Sequence, residues 1–442
     1  MRRPSTSVRS RALPAALVAL AAVYLVQLAS PLRLDTDSSS YLQIASSIAD
    51  GNGTRPTGTP SFPVGYPLLV AGLDTVGLAT PWAIVALNLA FLALATASLW
   101  VVLRRGLDLG EVATGTVCAL TLLSSAIAKH AVMPMSEVVF YGLAAAALAL
   151  LTISAADRCG SVLVGGIVLA LAACSVRTAG IALAPAVVLA FRSSRSRVVA
   201  AITVVAGAAL ALASTPRYLD ELSGGWREGP LRSGAREGRD LLEKLGAAVG
   251  NIPASKIDTV SPFLVAIGAV ALLAIVTVIV TRRRCLGPVD GWVIGSLVVL
   301  FAWPSDATRF VLPLFPFLLG YGAVLGRRWR PVAIAYATLF AALGLVAITL
   351  STRLTLSGEQ FPERYAGGIL APTYRVAWGM AEPGDLAHVY RPALEVLRRY
   401  DPDPPGGRSR GRAHAPYQTV AAGCLPCPSG RHPALSGDTP TR

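Results

Sequence analysis

No glycine-rich phosphate loop, no HExxH zinc signature and no internal repeat occurs in this 442-residue chain, and charge is scarce, at 14% of residues. Without a phosphate loop there is no nucleotide site to assign. The scarcity of charge, set against 53% hydrophobic residues, excludes an ordinary soluble protein. A nucleic-acid partner is excluded too. The net charge of +14 is not concentrated on a soluble domain with interleaved aromatic residues. Cysteine is sparse as well. Of six, Cys118 and Cys174 fall inside apolar segments and Cys159 and Cys285 in basic loops, so no disulfide framework is expected. Cys424 and Cys427 form a C-x-x-C near His414 and His432. The surrounding Pro/Gly/Arg sequence favours a disordered tail over a zinc site.

Long apolar runs fill the chain instead. Hydrocarbon cannot satisfy an exposed backbone, so a run of about 20 apolar residues is read as a spanning helix. Candidate spans cover 13–32, 82–103, 112–128, 132–153, 162–175, 178–191, 198–214, 262–281, 291–303, 310–326 and 331–350. The expected fold is all-α: a polytopic membrane protein with about 11 transmembrane helices. The first apolar stretch is longer than a signal-peptide core, so it is expected to stay as an uncleaved anchor.

Arginine sets the expected orientation. Arg2, Arg3, Arg9 and Arg11 precede span one, which places residues 1–11 in the cytoplasm. Alternate loops then carry Arg104/Arg105, Arg158, Arg192/Arg195/Arg197, Arg282/Arg283/Arg284 and Arg327/Arg328/Arg330. Every inner loop is basic, and the C-terminus is expected outside the cytoplasmic membrane.

Within a membrane region of 12–350, two outer loops stand out, 33–81 and 215–261. The first has a helix from Ser38 to Asp50, with Tyr41, Ile44, Ala45 and Ile48 on one face and Gly51 as the stop. After Pro63-Val-Gly-Tyr66-Pro67 an apolar helix is expected along the interface. The second loop is polar and arginine-rich, with a helix near 240–249. A small external segment, 351–400, holds a strand-like 387–390 and a helix-like 392–400. Residues 401–442 are expected to form a disordered tail.

With that topology a few ionisable residues collect at the outer face. Asp35 and Asp37 follow span one, Glu137 opens span four after Lys129 and His130, Arg177 sits in a tight turn, and Arg309 precedes span ten. Ionisable groups at membrane depth face a cavity or a partner, because lipid exposure costs roughly 2.5–3.5 kcal/mol each. Each has a structural reading. Asp37 is placed to cap the helix at Ser38, and Asp35 reads as a solvated loop acid. Glu137 favours its helix dipole, and both arginines could reach headgroups.

Taken in order, these residues form a pattern. Asp37-Ser-Ser-Ser-Tyr41, Gly51, Pro63-Val-Gly-Tyr66-Pro67, Met135-Ser-Glu137, Val176-Arg177-Thr-Ala-Gly180 and Arg309-Phe-Val-Leu-Pro313 together resemble the GT-C superfamily. These are polytopic glycosyltransferases that use polyprenyl-phosphate sugars, among them protein mannosyltransferases and aminoarabinose transferases. The chain departs from the pattern in four places. Ser38 follows Asp37 where a second acid is common, Thr178 follows Arg177 where proline is common, Phe310 follows Arg309 where tyrosine is common, and the external C-terminal segment is short.

The resemblance implies an inverting sugar transfer from a polyprenyl-phosphate donor to an envelope glycan, lipid or protein. Asp37 would be the base that accepts the acceptor proton, with Glu137 and Asp35 as its acidic partners. Arg177, Arg309 and Lys129 would hold the phosphate, and Tyr41 and Tyr66 would line the donor site. Asp35-x-Asp37 could instead hold a divalent cation, so the metal is left open. The competing readings are a lipid-linked glycan flippase, an envelope polysaccharide polymerase or ligase, and a non-catalytic envelope partner. The alanine-rich, arginine-over-lysine composition is that of a GC-rich bacterial genome.

Overall fold

The computed structural model describes residues 6–54, 62–191, 193, 195–198, 200, 230–253, 256–302, 308–365, 370–382 and 384–403. Among them there is no strand. The α-helices are α1 (Thr6–Val26), α2 (Thr36–Ala49), α3 (Gly65–Thr75), α4 (Pro81–Arg105), α5 (Glu111–Leu122), α6 (Ser125–His130), α7 (Ser136–Asp157), α8 (Gly160–Val176) and α9 (Ala184–Ala190). They continue with α10 (Pro230–Gly250), α11 (Ile257–Arg282), α12 (Pro288–Ala302), α13 (Phe315–Gly326), α14 (Arg330–Thr355), α15 (Phe361–Tyr365), α16 (Ala371–Ala377) and α17 (Arg391–Tyr400).

Among the described residues, four helices are long and apolar enough to cross a membrane: α4, α7, α14 and the Thr259–Arg282 stretch of α11. Shorter apolar helices run over Leu13–Ala29, Glu111–Leu122, Gly160–Val176, Thr178–Ala190, Pro288–Ala302 and Phe315–Gly326. The expected span at 198–214 falls almost wholly outside the described residues. α7 is apolar on every face and is buried along most of its length, so it forms the centre of the bundle. On α11 and α14 the large side chains point outward, with Phe263 74% and Ile334 66% exposed. Apolar faces of that extent mark a membrane or protein contact. The long apolar helices of this all-helical fold suggest a membrane protein.

The expected basic loops come together at one end of the bundle. Arg105 pairs with Asp157 at 2.7 Å. Arg282 donates to the Gly106 carbonyl at 2.8 Å, and Arg327 reaches the Asp108 carbonyl. Asp290, fully buried at the start of α12, accepts from Arg282 Nε at 3.2 Å, Tyr321 at 2.6 Å and the Gly287 amide at 2.9 Å. The donors come from the end of α11, from the loop before α12 and from within α13, so the cluster ties α11, α12 and α13 together.

At the opposite end the small C-terminal segment grips the chain between α1 and α2. Tyr374 donates to the Leu32 carbonyl at 2.6 Å and accepts from the Leu34 amide at 2.9 Å. Tyr365 donates to the Leu34 carbonyl at 2.9 Å. Arg33, buried between them, donates to Ser30, Ser351 and Thr355. Arg399 forks onto Asp50 at 2.8 and 2.9 Å and also reaches Asp74, fastening α17 to α2 and α3.

One expectation is corrected here and two are extended. Residues 387–390 are not a strand. Gly384, at φ 94°, turns the chain into a 3-10 turn, Asp385–His388. Asp385 then locks that turn by accepting from Arg375 and from the Glu382 amide. The helix expected at 240–249 begins at Pro230 and packs antiparallel against α11. A Cβ on Gly246 would lie 1.9 Å from the Leu264 carbonyl oxygen, and one on Gly268 would lie 1.8 Å from that of Leu242. Only glycine allows so close a crossing. The folded segment also runs past Tyr400. The Asp401 carboxylate accepts from the Leu32 amide at 2.9 Å, and its carbonyl accepts from Trp378 Nε1 at 3.1 Å. The remainder of the expected tail, 404–442, lies outside the described residues.

Burial pushes the Asp401 carboxyl up to about 7, against the partial offset of the Leu32 amide. The folded chain therefore holds this proton more tightly than the unfolded chain. The grip on Leu32 is fully favoured below about pH 4 and loses that advantage as pH rises to about 7. Asp401→Asn should remove the dependence. Melting curves of both proteins in detergent should coincide near pH 4 and separate by pH 8, with the variant more stable. A difference that stays constant with pH would rule this account out.

Candidate functional site

The acids of the first loop divide their work by helix register. Asp35 is the N-cap of α2: its Oδ1 accepts from the Ser38 amide at 2.9 Å, while the Asp35 amide donates to Ser38 Oγ at 2.6 Å. This capping box corrects the expectation that Asp37 would cap a helix starting at Ser38. The helix starts two residues earlier, because the Asp35–Ser38 exchange satisfies the first orphan amide. Asp37, released from capping, lies in the first turn and pairs through Oδ2 with Arg309 Nη2.

Arg309 is presented by a short 3-10 turn, Thr308–Val311, ahead of α13. Glu137, in the first turn of the central helix α7, is 1% exposed. Its Oε1 lies 2.5 Å from Arg177 Nη1 and 3.5 Å from Arg309 Nε. Arg177 ends α8 in an extended conformation, which turns its side chain back onto α7. Its Nη1 also donates to Ser136 Oγ at 3.3 Å, and that hydroxyl is 3.0 Å from the Tyr41 hydroxyl. Four residues far apart in sequence thus form one chain of charge: Asp37, Arg309, Glu137, Arg177.

The ring of Phe310 lies under both guanidiniums, 4.8 Å from Arg177 and 5.7 Å from Arg309. The quadrupole of a phenyl face attracts a cation, so Phe310 supports both guanidiniums. Burial opposes the charge on Arg309, but Glu137 and Asp37 outweigh it and leave its affinity for the proton raised. The exposure is uneven. Asp37 and Arg309 side chains are 27% and 25% exposed, whereas Arg177 is 10%.

The other expected site residues are placed differently. Tyr41 is buried, packed edge-on to Tyr66 at 5.5 Å, and burial raises its hydroxyl to about 12. Tyr66 is fully buried, and its hydroxyl has no hydrogen-bond partner among the described residues. The two form the wall behind the ion pairs. Lys129 is exposed at the end of α6 and makes no ion pair among the described residues. Asp35 is used in the cap and Asp37 faces Arg309, and among the described residues no group of three or more His, Cys, Asp or Glu forms around them.

Ser136 escaped the sequence reading, and His130, named there only as a neighbour of Glu137, takes a different part. Ser136 links Tyr41 to Arg177, and only its place beside Glu137 marked it. His130 is buried, with Nδ1 lacking a hydrogen-bond partner among the described residues. Burial lowers its pKa to about 4 despite the pull of Glu137, so it is neutral at physiological pH. It adds no cation to the site.

Glu137 is the residue that the two arginines share. Its replacement by alanine should cost about 3–5 kcal/mol, since it strands the buried Arg177 guanidinium and leaves Arg309 with Asp37 alone. Glu137→Gln should cost less. Melting temperatures in detergent would check this, and an unchanged value for Glu137→Ala would contradict the assignment.

Compared with protein-family models, with curated proteins and with solved structures, the chain matches none.

Proposed function

We propose that this protein is a membrane glycosyltransferase that moves a sugar from a polyprenyl-phosphate donor to an envelope acceptor. The observation that carries the proposal is the part-exposed Asp37–Arg309 pair, a carboxylate and a guanidinium side by side at one end of an apolar bundle. Transfer needs one group to take a proton from the acceptor hydroxyl and another to stabilise charge on the departing phosphate. Asp37 supplies the first and Arg309 the second. Glu137 and Arg177, being buried, hold Arg309 in place rather than meet the substrate. This narrows the sequence expectation, in which Glu137 and Arg177 shared those roles.

The orientation follows from charge. The opposite end of the bundle gathers Arg104, Arg105, Arg282 and Arg327, and basic connections stay in the cytoplasm. Asp37 then opens to the outer face of the cytoplasmic membrane. Polyprenyl chains would lie against the surrounding apolar helices, and attack on the face opposite the phosphate would invert the anomeric carbon. The acceptor would be an envelope glycan, lipid or protein.

Purified wild type and Asp37→Asn, incubated with radiolabelled polyprenyl-phosphate sugars, would test the reading. The variant should still bind donor while release of lipid phosphate falls by about 10²–10⁴-fold. Equal release from both would reject Asp37 as the base. Donor crossing liposomes without release of lipid phosphate would favour a flippase.

A further inference from the structure

Resting on that reading, the geometry points to a charge exchange: Asp37 stands in for the donor phosphate on Arg309 and yields that guanidinium as the reaction proceeds. The site holds two carboxylates and two guanidiniums, and they are already matched. Arg177 is committed to Glu137 at 2.5 Å and to Ser136, and it is nearly buried. Arg309 is held differently. Its Nη2 is on Asp37, whereas its Nε faces Glu137 at 3.5 Å without a hydrogen bond among the described residues. The exposed cation is thus the one whose partner is also exposed. A phosphate oxygen reaching the Nη2 edge of Arg309 must compete with Asp37 for it.

The chemistry makes the competition useful. In the transfer, the acceptor O–H bond breaks and its proton goes to Asp37. The acceptor oxygen bonds to the anomeric carbon, and the carbon–phosphate oxygen bond breaks with its electron pair left on phosphate. A singly charged phosphodiester becomes a monoester of about −1.5 to −2 at neutral pH. Asp37 loses a negative charge in the same step. The total charge is unchanged, but it has moved from the carboxylate to the lipid phosphate. A guanidinium placed between the two can follow it with no change in the buried Glu137–Arg177 pair. Phe310 beneath the ring of donors gives Arg309 a surface to pivot on.

The consequence runs against intuition, because removing the charge of the proposed base should tighten phosphate binding. The probe is farnesyl phosphate, with farnesol as the uncharged control, titrated calorimetrically into the full-length protein in detergent. Asp37→Asn should bind farnesyl phosphate about fivefold more tightly than wild type, the size expected for freeing one part-exposed ion pair. Farnesol affinity should not change. Asp35→Asn removes the same charge two residues away and keeps a capping side chain, so it should show no gain. In Asp37→Asn combined with Arg309→Ala, the gain should vanish.

Equal or weaker binding by Asp37→Asn would overturn the exchange while leaving the lipid-phosphate reading standing. A gain that persists without Arg309, or appears equally in Asp35→Asn, would also overturn it, because general electrostatics would then explain the effect. If neither wild type nor Asp37→Asn bound farnesyl phosphate, the proposed function would fail and the exchange with it.

Discussion

A carboxylate that is 1% exposed at the head of an apolar helix cannot stand alone, and the end of the bundle around it is built to answer that demand. Glu137 requires cations, and it receives two from opposite sides: Arg177 from the end of α8 and Arg309 from the turn before α13. Each arginine in turn needs a place to rest, which Phe310 provides for both. Asp37 then balances the second guanidinium at the edge of water. The central helix is thereby tied to α2, α8 and the α13 turn by charge, where contact between apolar faces alone would leave register free.

Asp37 is useful only if α2 is aimed correctly, and the grip on Leu32–Leu34 determines that aim. Tyr374 takes both a carbonyl and an amide of this short connection, and Asp401 takes another amide. Arg399 and Tyr400 hold the far side of the same loop through Asp50 and Asp74. The C-terminal segment is small, yet it contacts the first loop at both ends of α2. Its separation in sequence, more than 300 residues from the loop it holds, makes these contacts costly to form and informative once formed.

Much of this was legible in the sequence. The apolar runs, the basic connections and the first-loop helix follow from period and composition, which are local signals. So does the prominence of Asp37, Glu137, Arg177 and Arg309, because charge next to an apolar run stands out. What stayed hidden depended on register or on distant partners. Whether Asp35 or Asp37 caps α2 turns on two residues, and only the reciprocal bond to Ser38 decides it. The helix expected near 240–249 was legible, but its extension back to Pro230 was not, because that stretch is polar and arginine-rich. Tyr41 and Tyr66 stood out through the motif, but their edge-on packing against each other depends on the partnering of α2 with α3, which is not a local signal.

The division between the two acid–arginine pairs carries the mechanistic argument further than either pair alone. A fully buried network is rigid, and its charges are committed; a fully exposed one is screened and worth little. Here the inner pair, Glu137–Arg177, is of the first kind and the outer pair, Asp37–Arg309, lies between the two limits. The inner pair can hold a guanidinium at a set position without meeting substrate. The outer pair can exchange partners because water and ligand reach it. A proposed base and a proposed phosphate-binding cation that neutralise each other at rest also keep the membrane surface from carrying an unpaired charge.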